Sequence, residues 1–389
     1  MTTTLIYLYM VPAKVQGAWS VRMPAPLSKE PVRLDLQQQI TRVSGTARVG
    51  GREVTTTGPY HLAHVTGLES GAEVGVDVEG APHGDDPHFP PTVTTLVRPP
   101  GRLLARIATV NDVHFGETVC GRIHTVPDEE LGVAIPRPDE PPYPQTMNQG
   151  AIDEIIEFDP DLVLVKGDLT CEGTAEEYQQ FLDAYGRLGD RMHHVRGNHD
   201  AMRDDTMALQ GAPYAVERDG VSFVMLDTVR PGTEFGQITP AQIDWLDEYA
   251  AGTANVVFVY GHHNLWDLDA EERSESYFGV NCDDSEAFGE VVLRRENIVG
   301  YFAGHTHRHR IRRSERARFI PCVEVGATKD YPGVWAEYRI HEGGFTQIVH
   351  RISTQAALDW TERTRFLYAG LYRDYSLGPL EHRCYTELW

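Results

Sequence analysis

From Leu103 onward, predominantly apolar runs recur along the chain, and this recurrence restricts the fold more than any other feature of the sequence. The runs are LLARIATV (103–110), LVLV (162–165), VSFVML (221–226), VVFVY (256–260), IVGYFA (298–303) and FIPCVEV (319–325). Each is strand-like in length and composition. Between several of them lie helical patterns with start signals. Thr174 and Glu177 predict a capping box before EEYQQFLDAYGRL, and Thr239, Pro240 and Gln242 do the same before IDWLDEYA, with Pro240 suited to a first helical turn. Strands that alternate with helices predict an α/β layered domain over residues 101–352. Gly343 and Gly344 read as a hairpin turn, after which FTQIVHRI closes the sheet.

A chain of 389 residues exceeds the usual single-core limit, so a second domain is expected. Residues 60–69 (YHLAHVTGLE), 73–79 (EVGVDVE) and 92–98 (TVTTLVR) alternate apolar and polar positions between turns such as GAPHGDDPHFPP. That spacing predicts a small all-β sandwich domain over 1–100, with Pro99, Pro100 and Gly101 as its boundary. The segment HLAHVTGLESGAEVGVDVEG resembles the later strands of fibronectin type III-like domains. From Ser353 to the end, Ala357, Trp360, Leu367, Leu371 and Tyr375 share one side of a helical pattern, which predicts a packed C-terminal helical tail over 353–389.

Charge narrows the partners. The formal net charge is -22, which repels a polyanion at long range and argues against long nucleic acid. Arg308, Arg310, Arg312, Arg313, Arg316 and Arg318 are interleaved with acidic and apolar residues and read as a solvated strand or loop edge. A small anionic substrate would then need local cations, which bound metals supply. The five cysteines form no CxxC pair, so neither a disulfide framework nor a thiolate zinc site is indicated, and a reducing compartment fits. MTTTLIYLYMVPAK has no Lys or Arg ahead of its apolar run, and no run approaches a membrane span in length. The expected location is the cytoplasm; a lid or an oligomer contact is the minority reading of the C-terminal apolar side, and oligomerisation is open but unsupported.

In open α/β sheets, ligands bind beyond the C-terminal ends of the strands. Five strand ends here carry hard oxygen or imidazole donors: Asn111-Asp112-Val113-His114, Gly167-Asp168, Gly197-Asn198-His199-Asp200 after the short run His193-His194-Val195, Gly261-His262-His263, and Gly304-His305-Thr306-His307. Singly, several are weak. Gly-Asp is a frequent turn signal, and His262-His263 also reads as a polar strand end with one satisfied ring. Jointly, they place unrelated donors at five ends of one sheet system. Carboxylate, carboxamide oxygen and neutral imidazole suit Mn, Fe or Zn. Two such ions about 3.5–4 Å apart can share one carboxylate and hold a hydroxide between them.

The ordered set DVH, GD, GNHD, GHH and GHTH resembles the calcineurin-like metallophosphoesterase superfamily over roughly residues 103–350, and within it the bacterial cyclic-nucleotide and glycerophosphodiester phosphodiesterase-like branch. The resemblance implies an αββα sandwich and two divalent or mixed-valence metal ions. It implies Asp112, His114 and His307 on the first metal, Asn198, His262 and His305 on the second, and Asp168 bridging both. It makes His199, held by Asp200, the general acid or charge stabiliser at the leaving group, with His263 a neighbour. Purple acid phosphatases, similar in their N-terminal sandwich, carry a Tyr ligand where this chain has Cys171 in GDLTCEG, and they lack the histidine that stands here as His114. Cys171 reads as a small buried thiol. The Pro-rich segment 117–146, with Arg122 and His124, is either a substrate loop or a surface excursion. Arg196 and Arg203 could meet phosphate or pair with nearby acids such as Asp204 and Asp205. The expected activity is hydrolysis of a small-molecule phosphodiester, cyclic-nucleotide-like or glycerol-type. A phosphomonoesterase is the alternative, and a non-catalytic metal-binding interaction protein a more distant one.

Overall fold

The computed structural model describes residues 44–389 apart from 58–59, 64, 66–67, 80–89, 124–125 and 275, with only the backbone at 44–45, 56–57, 60–63 and 129–130. Ahead of residue 44 it describes the backbone of five short strands.

The N-terminal strands are β1 (Thr3–Thr4), β2 (Tyr7–Val11), β3 (Ala18–Arg22), β4 (Pro26–Ser28), β5 (Leu34–Gln37), β6 (Ser44–Val49), β7 (Arg52–Thr57), β8 (Tyr60–Ala63), β9 (Glu73–Val78) and β10 (Thr92–Thr94). Their pairings are antiparallel: a four-stranded sheet β10-β9-β6-β7, and the pairs β1–β4, β2–β3 and β5–β8. In β9, Val74, Val76 and Val78 are buried while Glu73, Gly75 and Asp77 are exposed, the period of two that the sequence shows. The expected strand at 92–98 is shorter: after Thr94 the Thr95 hydroxyl turns to donate to the Glu69 carbonyl at 2.5 Å. Much of the turn 80–91 and parts of 60–69 lie outside the described residues.

The elements that follow are β11 (Leu103–Val110), α1 (Asp128–Leu131), α2 (Tyr143–Phe158), β12 (Leu162–Lys166), α3 (Ala175–Tyr185), β13 (Met192–Val195), β14 (Tyr214–Arg218), β15 (Val221–Met225), α4 (Pro240–Gly252) and β16 (Val256–Tyr260). After these come α5 (Cys282–Arg294), β17 (Ile298–Ala303), β18 (Arg310–Arg312), β19 (Cys322–Glu324), β20 (Val334–His341), β21 (Gly344–Arg351), α6 (Gln355–Thr364), α7 (Tyr372–Leu377), α8 (Leu380–Arg383) and β22 (Cys384–Leu388). They build two six-stranded sheets, β13-β12-β11-β20-β21-β22 and β14-β15-β16-β17-β19-β18.

Strand alternation decides how these sheets stack. Leu162 and Leu164 of β12 meet Phe223, Phe258 and Phe302 of the opposite sheet in one core cluster. Val163 and Val165, one residue out of phase, pack on Ile152 and Ile155 of α2 and Phe181 of α3. On the other sheet Val257 and Val259 face outward to Leu246 of α4 and Phe288 and Val291 of α5. The layers are therefore helix, sheet, sheet, helix, the expected αββα sandwich. Removing each such side chain from water contributes roughly 1.5–3 kcal/mol.

The segment from Ser353 differs from the expected helical tail. It breaks into α6, α7 and α8 and ends as β22, which pairs antiparallel with β21. Gly370 and Gly378 take positive φ (86° and 56°), which interrupts the helical pattern on both sides of α7. Leu371 is 73% exposed, so the side shared by Ala357, Trp360, Leu367, Leu371 and Tyr375 is not one buried face.

Candidate metal centre

β11, β12 and β13 are parallel neighbours, as are β16 and β17, so within each group the chain leaves the sheet on the same side. Backbone bonds tie the departing loops together. Val113 and His114 donate to the Asp168 carbonyl at 3.0 and 2.9 Å, and Gly304 donates to the His262 carbonyl at 2.9 Å. The His305 amide reaches across to Asp112 Oδ1 and Oδ2, both at 3.1 Å, and so links the two sheets at this end.

Glycine is needed here mainly because backbones approach closely. A Cβ at Gly197 would overlap the Asp168 carboxylate and amide, although its φ is ordinary. Gly167 has both constraints: φ is +85° and a Cβ would lie 2.6 Å from His262 Nδ1.

All seven expected ligand residues converge. Asp168 Oδ2 lies 3.4 Å from His114 Nε2 and 3.2 Å from His262 Nε2. His262 Nε2 is also 3.2 Å from Asn198 Oδ1, and His307 Nε2 is 3.4 Å from Asp112 Oδ1. The donor atoms of Asp112, His114 and His307 lie within 4.8 Å of one another, and so do those of Asp112, Asp168 and His262. His262, His263 and His305 form a third such group, and His114, Asp168 and His199 a fourth. Asp168 thus stands between the Asp112 side and the His262 side. His263, the expected neighbour, lies in the third of these groups; its Nδ1 meets the Thr228 hydroxyl at 3.0 Å, and its Nε2 is buried without a hydrogen-bond partner.

The residues fit a pair of divalent cations. Both ring nitrogens of His114 and Nε2 of His305 are buried without a hydrogen-bond partner, a cost that a cation would remove. Burial lowers His114 to about 4 and His305 well below its ordinary value, so both rings are neutral and have lone pairs to give. Burial would raise Asp112, but His307 and His262 hold it at about 2; Asp168, likewise buried, is held well below the usual carboxylate range by His262 and His199. Both are anions at neutral pH. Against burial, Asp168 raises His262 to about 9 and Asp112 raises His307 to about 10, so a cation bound at these carboxylates competes with those protons. His262 Nδ1 is anchored on the Lys166 carbonyl at 2.8 Å, which leaves Nε2 to face the site.

Asp200 departs from its expected role. It does not hold the His199 ring, whose Nδ1 meets the Cys171 carbonyl at 2.6 Å. The Asp200 carboxylate instead accepts from the amides of Leu169, Thr170 and Gly197 and from the Thr170 hydroxyl, at 2.6–3.1 Å. It braces the loops that carry Asp168 and Asn198; burial and the nearby Asp168 raise it to about 6. The Cys171 thiol is pushed up to about 12 by burial and stays protonated, so this residue serves the site through its backbone. Arg196 is buried in a 2.8 Å ion pair with Asp227, and Arg203 pairs with Glu172 at 2.5 Å. Arg122 pairs with Asp128 at 2.6 Å, and His124 lies outside the described residues. In the arginine-rich stretch, Arg308 pairs with Glu324 at 2.9 Å, Arg316 with Glu286 at 3.2 Å, and Arg313 with Glu387. It is a paired edge.

Sequence reasoning missed residues that follow the sixth apolar run. Beyond β19 come Thr328, Lys329 and Asp330, all buried, and Asp330 Oδ2 lies 3.7 Å from His307 Nδ1. A polar cluster after a sixth strand end is the same signal that exposed the other five.

The chain is similar to several known proteins. A probable cyclic nucleotide phosphodiesterase of Synechococcus sp. is 24% identical over 210 residues, 51% of this chain and 79% of that protein. The 3′,5′-cyclic adenosine monophosphate phosphodiesterase of Vibrio vulnificus is 26% identical over 222 residues, 52% of this chain and 78% of its own length. A glycerophosphodiester phosphodiesterase of Enterobacter lignolyticus is 25% identical over 160 residues, 38% of this chain and 56% of its own. The family model for calcineurin-like phosphoesterases matches residues 105–309, more than half of the chain and every strand end that carries a candidate ligand, so the chain belongs to that family as a metal-dependent phosphoesterase.

Proposed function

We propose that this chain hydrolyses small phosphodiesters, cyclic-nucleotide-like or glycerol-type, at a dinuclear centre of Mn, Fe or Zn. Asp112, His114 and His307 hold one ion, Asn198, His262 and His305 the other, and Asp168 serves both. The carrying observation is the convergence of these seven side chains from five strand ends, with Asp168 Oδ2 within 3.4 Å of a ring nitrogen on each side. Ions at these positions would polarise phosphoryl oxygens and make a water acidic enough to lose its proton near neutral pH.

The chain's own groups do the rest. His199 Nδ1 donates to the Cys171 carbonyl, which orients the ring beside His114 with centroids 4.5 Å apart. A protonated His199 can then give its Nε2 proton to the departing oxygen. Its backbone amide, 3.0 Å from Asp168 Oδ1, helps to fix the shared carboxylate. The net charge of -22 and the paired arginines favour small substrates over polyanions. The antiparallel N-terminal strands are proposed to form a separate sandwich of fibronectin type III-like kind over 1–100.

The test combines elemental analysis of protein purified without chelator with rates on bis(p-nitrophenyl) phosphate and p-nitrophenyl phosphate. Metal near two ions per chain with preferential cleavage of the diester supports the reading, and preference for the monoester replaces it with a phosphomonoesterase. Asp168→Ala should lose both metal and turnover; if it keeps them, the assignment is wrong.

A further inference from the structure

We propose that the C-terminal segment 368–378, beyond the residues the family model covers, completes the metal site: Tyr372, together with Asp330, fixes the tautomer and aim of His307. The inference rests on the dinuclear reading above. Tyr372 is 4% exposed and Asp330 2%, and the Tyr372 hydroxyl donates to Asp330 Oδ1 at 2.9 Å. The Tyr372 hydroxyl oxygen also lies 3.3 Å from His307 Nδ1.

A phenol has one proton to donate and lone pairs that accept. With that proton given to Asp330, Tyr372 can only accept from His307, so Nδ1 carries a hydrogen and Nε2 is the nitrogen left to face a cation. Nε2 is the atom that lies 3.4 Å from Asp112 Oδ1. Asp330 is itself anchored, with Lys329 Nζ at 3.8 Å and the Cys120 thiol donating at 3.4 Å.

Two further bonds bind the same segment to the loop that carries His305 and His307. The Tyr375 hydroxyl donates to the Thr306 carbonyl at 3.0 Å, and the His309 amide donates to the Ser376 carbonyl at 3.0 Å. Residues 306, 307 and 309 are therefore each held from one short piece of the C-terminal region. Exposure argues against packing as its sole purpose, since Leu371 is 73% and Tyr375 45% exposed. Outer partners of metal-bound histidines typically account for about 10–100-fold in metal affinity.

The test uses the full-length chain stripped of metal and titrated calorimetrically with Mn2+, alongside melting curves of the metal-free and loaded forms. Tyr372→Phe keeps the ring and removes the oxygen. It should weaken one of the two binding events about 10–100-fold, leave the other near wild type, and leave the metal-free melting temperature unchanged. Asp330→Asn, which keeps an acceptor for the phenol, should show a smaller loss at the same event. Wild-type affinity in Tyr372→Phe overturns the proposal, as does a drop in its metal-free melting temperature that matches the drop in the loaded form. A wild-type chain that takes up no ion sinks the dinuclear reading and this inference together.

Discussion

Five of the seven proposed ligand residues leave their strands in the left-handed region: Asp112 (φ 54°), His114 (44°), Asp168 (51°), His305 (68°) and His307 (54°). For residues with a Cβ that conformation costs roughly 1–2 kcal/mol each, so it persists only where neighbouring bonds over-determine it. The loop-to-loop bonds around Asp112 and Asp168 supply that constraint. Crowding makes Gly197→Ala a sharp test: the added methyl overlaps the Asp168 carboxylate, so metal content should fall and turnover with it by at least about 100-fold. Gly252→Ala, at a helix end with nothing nearby, should leave both unchanged. Elemental analysis and rates on both variants decide the matter. His199→Ala should retain metal and slow turnover by about 100–10,000-fold. The loss should shrink for diesters whose leaving group departs without a proton; an equal loss across leaving groups would remove His199 from the acid role. The ligand positions were legible because Asn and His have no propensity reason to follow strands. The partners of those ligands were not. Asp200 follows His199 in sequence, yet its carboxylate is turned to backbone amides, a choice made by loops 30 residues away.

At the scale of elements, the Thr174 cap behaves as its residues dictate. The Thr174 hydroxyl accepts from the Glu177 amide at 3.2 Å while Glu177 Oε2 accepts from the Thr174 amide at 3.1 Å. Thr174→Ala should lower unfolding stability by about 1 kcal/mol, measured by urea titration of the metal-free protein; no change would mean that α3 is held by its packing alone. The Thr239 cap is only half of the expected box. Thr239 does accept from the Gln242 amide, but the Gln242 side chain bonds both backbone groups of Asp227 instead. Local chemistry offers both arrangements, and the tertiary neighbour selects one. The run 319–325 is similarly shortened to β19, because Arg318 and Phe319 take positive φ and Pro321 has no amide to donate to a ladder. Residues 384–388 join β21 through pairing partners 36 to 44 residues earlier, which no local pattern reveals.

For the molecule as a whole, the acid side of stability is set partly by a buried group far from the metal ligands. Glu337 of β20 bonds the ring of His350 on β21 at 2.8 Å and pairs with Arg339, and all three are buried. Burial alone would raise the Glu337 carboxyl, but Arg339 and His350 overcome it and hold it at about 2. The folded state therefore binds this proton less tightly than the unfolded chain, whose value is near 4.5. The resulting stability, about 3 kcal/mol, is fully present above pH 4.5 and is lost as pH falls towards 2. Glu337→Gln should be less stable at pH 7 by about 3–5 kcal/mol, because Arg339 loses the carboxylate it is buried against. Its disadvantage relative to wild type should then shrink as the medium is acidified, since the wild type alone must take up the extra proton. Chemical denaturation of both metal-free proteins from pH 7 to 2.5 isolates this effect, because every other carboxylate is common to the pair. Stability curves that run parallel between pH 4.5 and 2.5 would show that Glu337 is not the depressed group.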